Sequence, residues 1–478
     1  MSAAQPSLRP DWAARHVAQR PMLSPEQAAQ CRPETVLAQG DTAGQAAWDP
    51  TRTDDGAEDW VLLVDQNGAG TDSFLTIQAA IESALANRAH RTTVTIAIMP
   101  GDYAGLVYIP KTNGAPLSFQ FRGLGAAPQD TRITANIDAE MPVAEYLNAF
   151  AAQFEDVGPE TRALFARMSC GDRLGTNRSA VMRIEADGVS LSNLTIHNTY
   201  QATRKAAAPK GAQPDHFGRY SQGQHQAVAL HLAGADRLCA RHVHLKSFQD
   251  TLYLQAPAPG QRNRAYFADC DIEGDVDFIF GHSTAFFETC TIRTLGSRQA
   301  RSWVVAPATH IDTPYGFVFA KCRFTHDGAD FGRNGQSCLG RQWFEGVRAS
   351  PYGTAPDPSY YTVLASDNKL AGGQSRVTRD SLLSVGKCLL VDCQIGAHIS
   401  RTAPWDDWSG PGYAADGSLS SGDWRARYRP HQTCAADLIH FLAAWPDLPK
   451  LGLETVTDTV PWLGEFNSTH DAMDERHD

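Results

Sequence analysis

One pattern of polar and apolar positions recurs six times along the chain. It appears as Ser-Asn-Leu194-Thr-Ile, Arg-His-Val243-His-Leu, Ala-Asp-Cys270-Asp-Ile, Glu-Thr-Cys290-Thr-Ile, Ala-Lys-Cys322-Arg-Phe and Val-Asp-Cys393-Gln-Ile. Each copy ends small apolar, polar, larger apolar, the period-two signature of a strand with one buried face. The copies are 49, 27, 20, 32 and 71 residues apart. These intervals suit coils of roughly 20–30 residues with loops inserted between some of them. Short strands recurring without helical segments between them predict a parallel β-helix, each coil stacked on the one before. An antiparallel sandwich is the alternative, but it favours Asn-Gly hairpin turns, which are scarce here. In the stacked arrangement Cys270 and Cys290 occupy equivalent positions about 4.8 Å apart, within the Cα range a disulfide can bridge.

Upstream of the repeat, Trp60–Val64 reads as a strand. Residues 74–85 then place apolar side chains at helical spacing, with Asp72 or Ser73 as the expected cap. Val94–Met99, Val107–Ile109 and Leu117–Phe121 read as further short strands. Residues 139–180 break the β pattern: 144–168 looks helical and reads as an insertion on a β scaffold. Residues 1–58 have weak periodicity and are expected to form an extended arm with one short helix near Pro25 to Gln30. Residues 59–465 then form a single solenoid domain, and 466–478 a tail. After Cys393 the pattern becomes irregular around Trp405, Trp424, Trp445 and Trp462. Loops and a short helix over 435–444, packed alongside the solenoid, are expected there.

A net charge of −11 and a pI near 5.8 give no basic surface for nucleic acid or anionic lipid. No apolar run is long enough to span a membrane. The first thirty residues lack the apolar core of a signal peptide, so the protein is cytosolic or its export signal has been removed. The ten cysteines form no CxxC pair, and no HExxH occurs, so neither a zinc site nor any other metal is expected. They read as core thiols or as one or two disulfides.

Candidate chemistry concentrates between Gln226 and Trp343. Asp277 lies within the apolar run Gly274-Asp-Val-Asp-Phe-Ile-Phe-Gly281, where an unpartnered carboxylate costs several kcal/mol or takes up a proton. Asp250 has a similar setting in Phe248-Gln-Asp-Thr-Leu-Tyr253. Gln226-Ala-Val-Ala-Leu230 precedes them, and Leu339-Gly-Arg-Gln-Trp343 follows with a cation. Stacked coils would gather the two acids, two amides and one arginine into one site.

These four segments, in this order, resemble the signature segments of the pectin methylesterases. Phe74-Leu-Thr-Ile-Gln, Asn193-Leu-Thr-Ile and Gly396-Ala-His-Ile399 add supporting matches. The resemblance implies an all-β, right-handed parallel β-helix and a carboxylic ester hydrolase that removes methyl groups from methyl-esterified galacturonan. It casts Asp277 as nucleophile, Asp250 as general acid then base, Gln226 and Gln249 as the oxyanion hole, and Arg341 as the cation holding Asp277 ionised. Tyr253, Phe280 and Trp343 would wall the sugar site, and His231, His242 and His244 would have packing or solvent-facing places. No cofactor is implied; the partner is pectin or an oligogalacturonide, the protein a monomer, and the location secreted or cell-envelope. A cysteine pair in some members matches Cys270 and Cys290. Three positions depart from the family's habit: Gly105 stands where a Glu is usual, Gln342 where Pro is usual, and Asp275 where Thr is common. These departures, the arm and the insertion resemble a bacterial subgroup of envelope lipoprotein pectinesterases and of relatives named acyl-CoA thioester hydrolases. A thioester hydrolase and a non-catalytic carbohydrate-binding β-helix are therefore the alternatives.

Overall fold

Each turn of the chain lays down up to three short strands, and each pairs in parallel with its counterpart a turn later. The computed structural model describes residues 20–38, 48–51, 60–68, 73–114, 116–201, 213, 225–258, 260–298, 301–329, 333, 335–343, 384, 386–406, 412–413, 419–420 and 460–471. One seven-stranded sheet runs from Val107–Ile109 through Met182–Ile184, Leu230–Ala233, Leu252–Gln255, Val276–Gly281 and Trp303–Pro307 to Cys338–Gly340. The other two faces form a single eighteen-stranded sheet, joined through the long strands Ser190–Asn198 and Leu238–Lys246. This is the parallel β-helix that the repeat predicts.

The repeated pentapeptide is a corner rather than one straight strand. Asn193, His242, Asp269, Thr289, Lys321, Asp392 and Asn467 all have φ between 51° and 56°. In the six repeats, this residue immediately precedes the buried apolar position. A left-handed residue turns the chain between two faces, and Asn or Asp tolerates that conformation better than most. Thr289 and Lys321 adopt it because the ladder continues through the bend: Asp269 N–H donates to Glu288 O (3.1 Å), Thr289 N–H to Ala320 O (3.0 Å) and Lys321 N–H to Val391 O (2.9 Å).

In-register stacking fills the interior with like on like. Phe267, Phe287 and Phe319 stack with centroids 4.9 and 4.5 Å apart. Beside them Cys270, Cys290, Cys322 and Cys393 form a ladder of buried free thiols, so the pairing expected for Cys270 and Cys290 is not formed. Parallel Cβ vectors on successive coils hold the sulfurs side by side, whereas a disulfide needs a 2.05 Å bond and a dihedral near 90°. Burial pushes the Cys270, Cys290 and Cys322 thiols far above their ordinary range.

The first coil is capped by the helix Ile77–Ala86. It starts later than expected: Thr76 is its cap, accepting from Ala79 N–H at 3.1 Å, while Ser73–Phe74 pair with Leu63–Val64 as a strand. The buried Gln78 side chain both accepts from Tyr108 N–H (2.9 Å) and donates to Tyr108 O (3.0 Å), closing the edge of the seven-stranded sheet as another strand would. The insertion contains the helices Val143–Phe150 and Pro159–Met168 and packs on the same edge through Tyr108, Tyr146, Phe154 and Phe165.

The described part of the arm is folded down on the solenoid. The helix Pro25–Ala29, with its Ser24–Gln27 capping box, and the helix Pro33–Val36 bury Ala28, Val36 and Leu37 in a cluster with Tyr266, Phe286, Val318 and Leu389. Leu23 N–H donates to Glu465 O and Glu465 N–H to Pro21 O, so the arm also pairs with the last coil. That coil runs on past residue 465, through Leu463–Phe466 to Thr469–His470. The helix expected over 435–444, Trp424, Trp445 and Cys434 lie outside the described residues.

Candidate active site

The seven-stranded sheet carries the site. Leu252 is paired with Ile279, which sets Asp250 and Asp277, each two residues earlier, side by side on neighbouring coils. Asp250 N–H donates to Val276 O at 3.0 Å. Both aspartates have left-handed backbones, with φ of 65° and 48°, a strain that concentrates at functional sites. Asp277 also sits at a bulge: Val276 is opposite Trp303, but Ile279 is opposite Val305. The extra residue breaks strict alternation, so Phe278 and Ile279 both enter the core and Phe280 packs outside it. Gly281 (φ 123°) completes the turn; a Cβ there would lie 2.1 Å from Leu254 O.

Arg341 reaches Asp277 from two coils away. Its Nε and Nη2 donate to Oδ1 and Oδ2 at 2.9 and 2.7 Å, a bidentate pair buried on both sides. The guanidinium lies 4.1 Å over the Trp303 ring, whose Nε1–H donates to Asp406 at 2.9 Å. Burial raises the pKa of both aspartates. Asp250 rises further, well above the carboxylate range: burial and the charge of Asp277 push it up, and Arg341 opposes them from farther off. For Asp277 the opposing cation is bonded directly, so Asp277 ionises first and Asp250 keeps its proton. The two neighbouring acids thus differ in how readily they ionise, the division needed for a nucleophile and an acid.

Gln249, next to Asp250, and Gln226, on the preceding coil, are half-buried and joined where Ala227 N–H donates to Gln249 O at 3.0 Å. Outside the core, Tyr253 and Phe280 stack in parallel at 4.2 Å, and Trp343 meets Phe280 edge-on at 5.9 Å. His231 extends this row, stacked on Tyr253 at 4.2 Å and pinned between Arg183 (2.9 Å) and Gln255 (3.0 Å). It is a buried packing residue, whereas His242 is exposed and His244 half-buried.

Three participants carry no sequence signal of their own. Arg298 makes a bidentate pair with Asp275 (2.6 and 2.9 Å) that is almost wholly enclosed, and its guanidinium lies 4.4 Å over Phe248. The acid at Asp275 is therefore neutralised by a cation from the next coil. Trp303 and Asp406 support Arg341 from behind. Only Asp406's place next to Trp405, in a tryptophan-rich loop, hinted at packing against the body. Gln342 is buried and donates to Gly386 O at 3.1 Å, a bond that a proline could not make.

The family model described as Pectinesterase matches residues 218–349, the span holding Gln226, Gln249, Asp250, Tyr253, Asp277, Phe280, Arg341 and Trp343. Pectinesterase B of Dickeya dadantii (strain 3937) is 30% identical over 348 residues, covering 70% of this chain and 75% of that protein. The chain belongs to the pectinesterase family. A further relative of this pectinesterase is YbhC of Escherichia coli (strain K12), which bears an acyl-CoA thioester hydrolase name and is 30% identical over 70% of this chain and 76% of its own. Among solved structures, the rice weevil pectin methyl esterase superposes with a TM-score of 0.64 at 25% identity, covering 95% of this chain and 98% of that one.

Proposed function

We propose that this esterase hydrolyses the methyl esters of galacturonate units in pectin or its oligomers, with Asp277 as nucleophile. The observation that carries the reading is the buried, bidentate Arg341–Asp277 pair beside Asp250 on the neighbouring coil. A carboxylate oxygen of Asp277 attacks the C6 ester carbonyl, and the electron pair of the C=O bond moves to its oxygen. Amide N–H groups of Gln226 and Gln249 receive that oxyanion. Its collapse breaks the bond to methoxide, which takes the Asp250 proton and leaves as methanol. Asp250, now ionised, removes a proton from water; the hydroxide adds to the acyl carbonyl and the bond to Asp277 breaks. The de-esterified unit leaves as its carboxylic acid and gives its proton to the solvent, while Asp277 is again a carboxylate and Asp250 is again protonated. Tyr253, Phe280 and Trp343 supply apolar faces for the sugar rings.

The steps consume only water and ester, so neither metal nor cofactor is drawn on. A substrate of this kind lies outside the cytoplasm, which fits a secreted or envelope protein acting as a monomer. The test is methanol release from methyl-esterified pectin and methyl-esterified oligogalacturonides, with and without chelator. Chelator-insensitive methanol without new double bonds or chain cleavage supports the reading. Turnover of a long-chain acyl-CoA with none of the methyl esters would replace it with the thioesterase alternative.

A further inference from the structure

The inserted segment 139–180 meets the site at its root, and the contact falls on Gln226. His225 immediately precedes that glutamine. Its Nδ1 lies 2.6 Å from Asp138 Oδ2, in an almost enclosed pair, and 3.1 Å from the Tyr200 hydroxyl. The Asp138 side chain is fully buried, and with its oxygen as acceptor the imidazole N–H in this contact is Nδ1–H. The Tyr200 ring lies parallel to the imidazole at 5.9 Å and packs against Ala227 on the far side of Gln226. Asp138 Oδ2 also accepts from Glu140 N–H at 3.2 Å, holding the turn in which Ala139 N–H donates to Gln226 O at 2.8 Å. The returning end of the insertion closes on the same residue, Gly175 N–H donating to Ala139 O at 2.7 Å. Farther along, the buried Asn198 side chain donates to Val228 O (3.0 Å) and Ser179 O (3.2 Å).

Gln226 is thereby held through its own carbonyl by Ala139 and through His225 by Asp138, both at the start of the insertion, while Ala227 packs on Tyr200. The coil-to-coil backbone bonds reach back to Ala227, whose N–H donates to Gln249 O at 3.0 Å, but they do not involve the His225 side chain. The strand Leu230–Ala233 already has its ladder partners on both sides, whereas Gln226 lies four residues before that strand. We infer that Asp138 and His225, with the Ala139 amide, are positioning residues that fix the Gln226 backbone so that its side-chain amide meets the developing oxyanion. This rests on the reading that Gln226 is an oxyanion donor. An insertion unexplained by the solenoid repeat then acts as a brace on the catalytic coil.

The full chain is tested as Asp138→Asn, His225→Leu and His225→Asn, alone and combined with Gln226→Ala. Asn at 225 returns an N–H donor close to the place of Nδ1; Leu does not. A misplaced donor in a preorganised oxyanion hole costs about ten- to hundred-fold in turnover. On a methyl-esterified oligogalacturonide, Asp138→Asn and His225→Leu are expected to lower kcat by about that much, with KM within roughly two-fold. His225→Asn should regain most of the loss. In the Gln226→Ala background, Asp138→Asn should have almost no further effect on kcat. An Asp138→Asn loss that persists in that background, a loss confined to KM, or a His225→Asn variant no better than Leu overturns the inference. So does an unchanged kcat in folded Asp138→Asn and His225→Leu, folding being checked by circular dichroism. If Gln226→Ala itself leaves kcat unchanged, the oxyanion reading fails and the inference with it. If Gln226→Ala loses about 10²–10³ while Asp138→Asn loses nothing, only the inference falls.

Discussion

Replacing Arg341 by alanine removes both donors from Asp277 inside a site where the two side chains are 10% and 6% exposed. Breaking a buried pair costs about 3–5 kcal/mol when the remaining charge is kept. A carboxyl avoids that cost by taking up a proton, and at 1.36 kcal/mol per unit the pKa of Asp277 rises by about two to four units. Burial already holds that pKa above the ordinary value, so the rise starts from a raised base. The nucleophile works only when ionised, so kcat/KM climbs with pH through this pKa and the acid limb of the profile moves up. The alkaline limb reports Asp250 losing its proton. It moves up as well, because Arg341 also holds Asp250 down. Below the new acid limb the loss is about 10²–10⁴, and part of it returns as pH rises. Arg341→Lys keeps a charge but cannot make the bidentate contact, so its acid limb should move by about one unit. The assay is the pH profile of initial methanol release at subsaturating substrate, for wild type and both variants. An Ala variant whose rate falls equally at every pH, with its acid limb unmoved, would mean that Arg341 binds substrate and does not set the charge of Asp277.

The two aspartates should fail differently: Asp277→Ala abolishes turnover, while Asp250→Asn loses about 10²–10⁴ on the methyl ester because methoxide leaves without a proton donor. With an aryl galacturonate ester, rapid mixing should show a burst of aryl alcohol for Asp250→Asn and none for Asp277→Ala; the reverse pattern would exchange the roles. Arg298→Ala should destabilise the fold by about 3–5 kcal/mol by stranding Asp275, read as a lowered midpoint in urea, whereas Arg298→Met with Asp275→Leu should recover most of it; equal midpoints for the single and double variants would refute the pairing. Cys270 and Cys290 should resist alkylation in native protein and both react once it is unfolded, without reductant; a linked peptide in a non-reduced digest would show that the disulfide forms after all.

Much of the architecture was legible because a β-helix writes its repeat into the sequence. The small apolar position of each copy lands in the core, and the ladder Cys270, Cys290, Cys322, Cys393 follows the predicted coil equivalence. The same regularity placed Asp250 and Asp277 on neighbouring coils and Arg341 within reach of them. The range expected to be helical, 144–168, holds two helices, Val143–Phe150 and Pro159–Met168, and misses the first residue of the former. The corner before each buried position was missed because a polar residue in the left-handed region looks like any outward-facing residue of a strand. Period two records which side a residue faces, not a change in chain direction.

What the sequence determines is therefore what repeats locally: strand periodicity, coil order, and a carboxylate standing where an apolar run makes it costly. Tertiary structure decides what depends on a partner that chain distance does not reveal. The bulge at Asp277 follows from pairing with Trp303–Pro307 and separates that residue from the enclosed Asp275. Arg298 joins Asp275 from the next coil, and Asp406 reaches the back of the Arg341 support across 103 residues from Trp303. The described part of the arm, too polar to show an apolar face by period, folds down because the last coil offers Glu465 and the outer surface offers Tyr266, Phe286 and Leu389. In each case the deciding energy is desolvation. A buried charge or an exposed apolar face must find its complement wherever the stacked coils bring one, and the lengths of the intervening loops, not the local pattern, fix where that is.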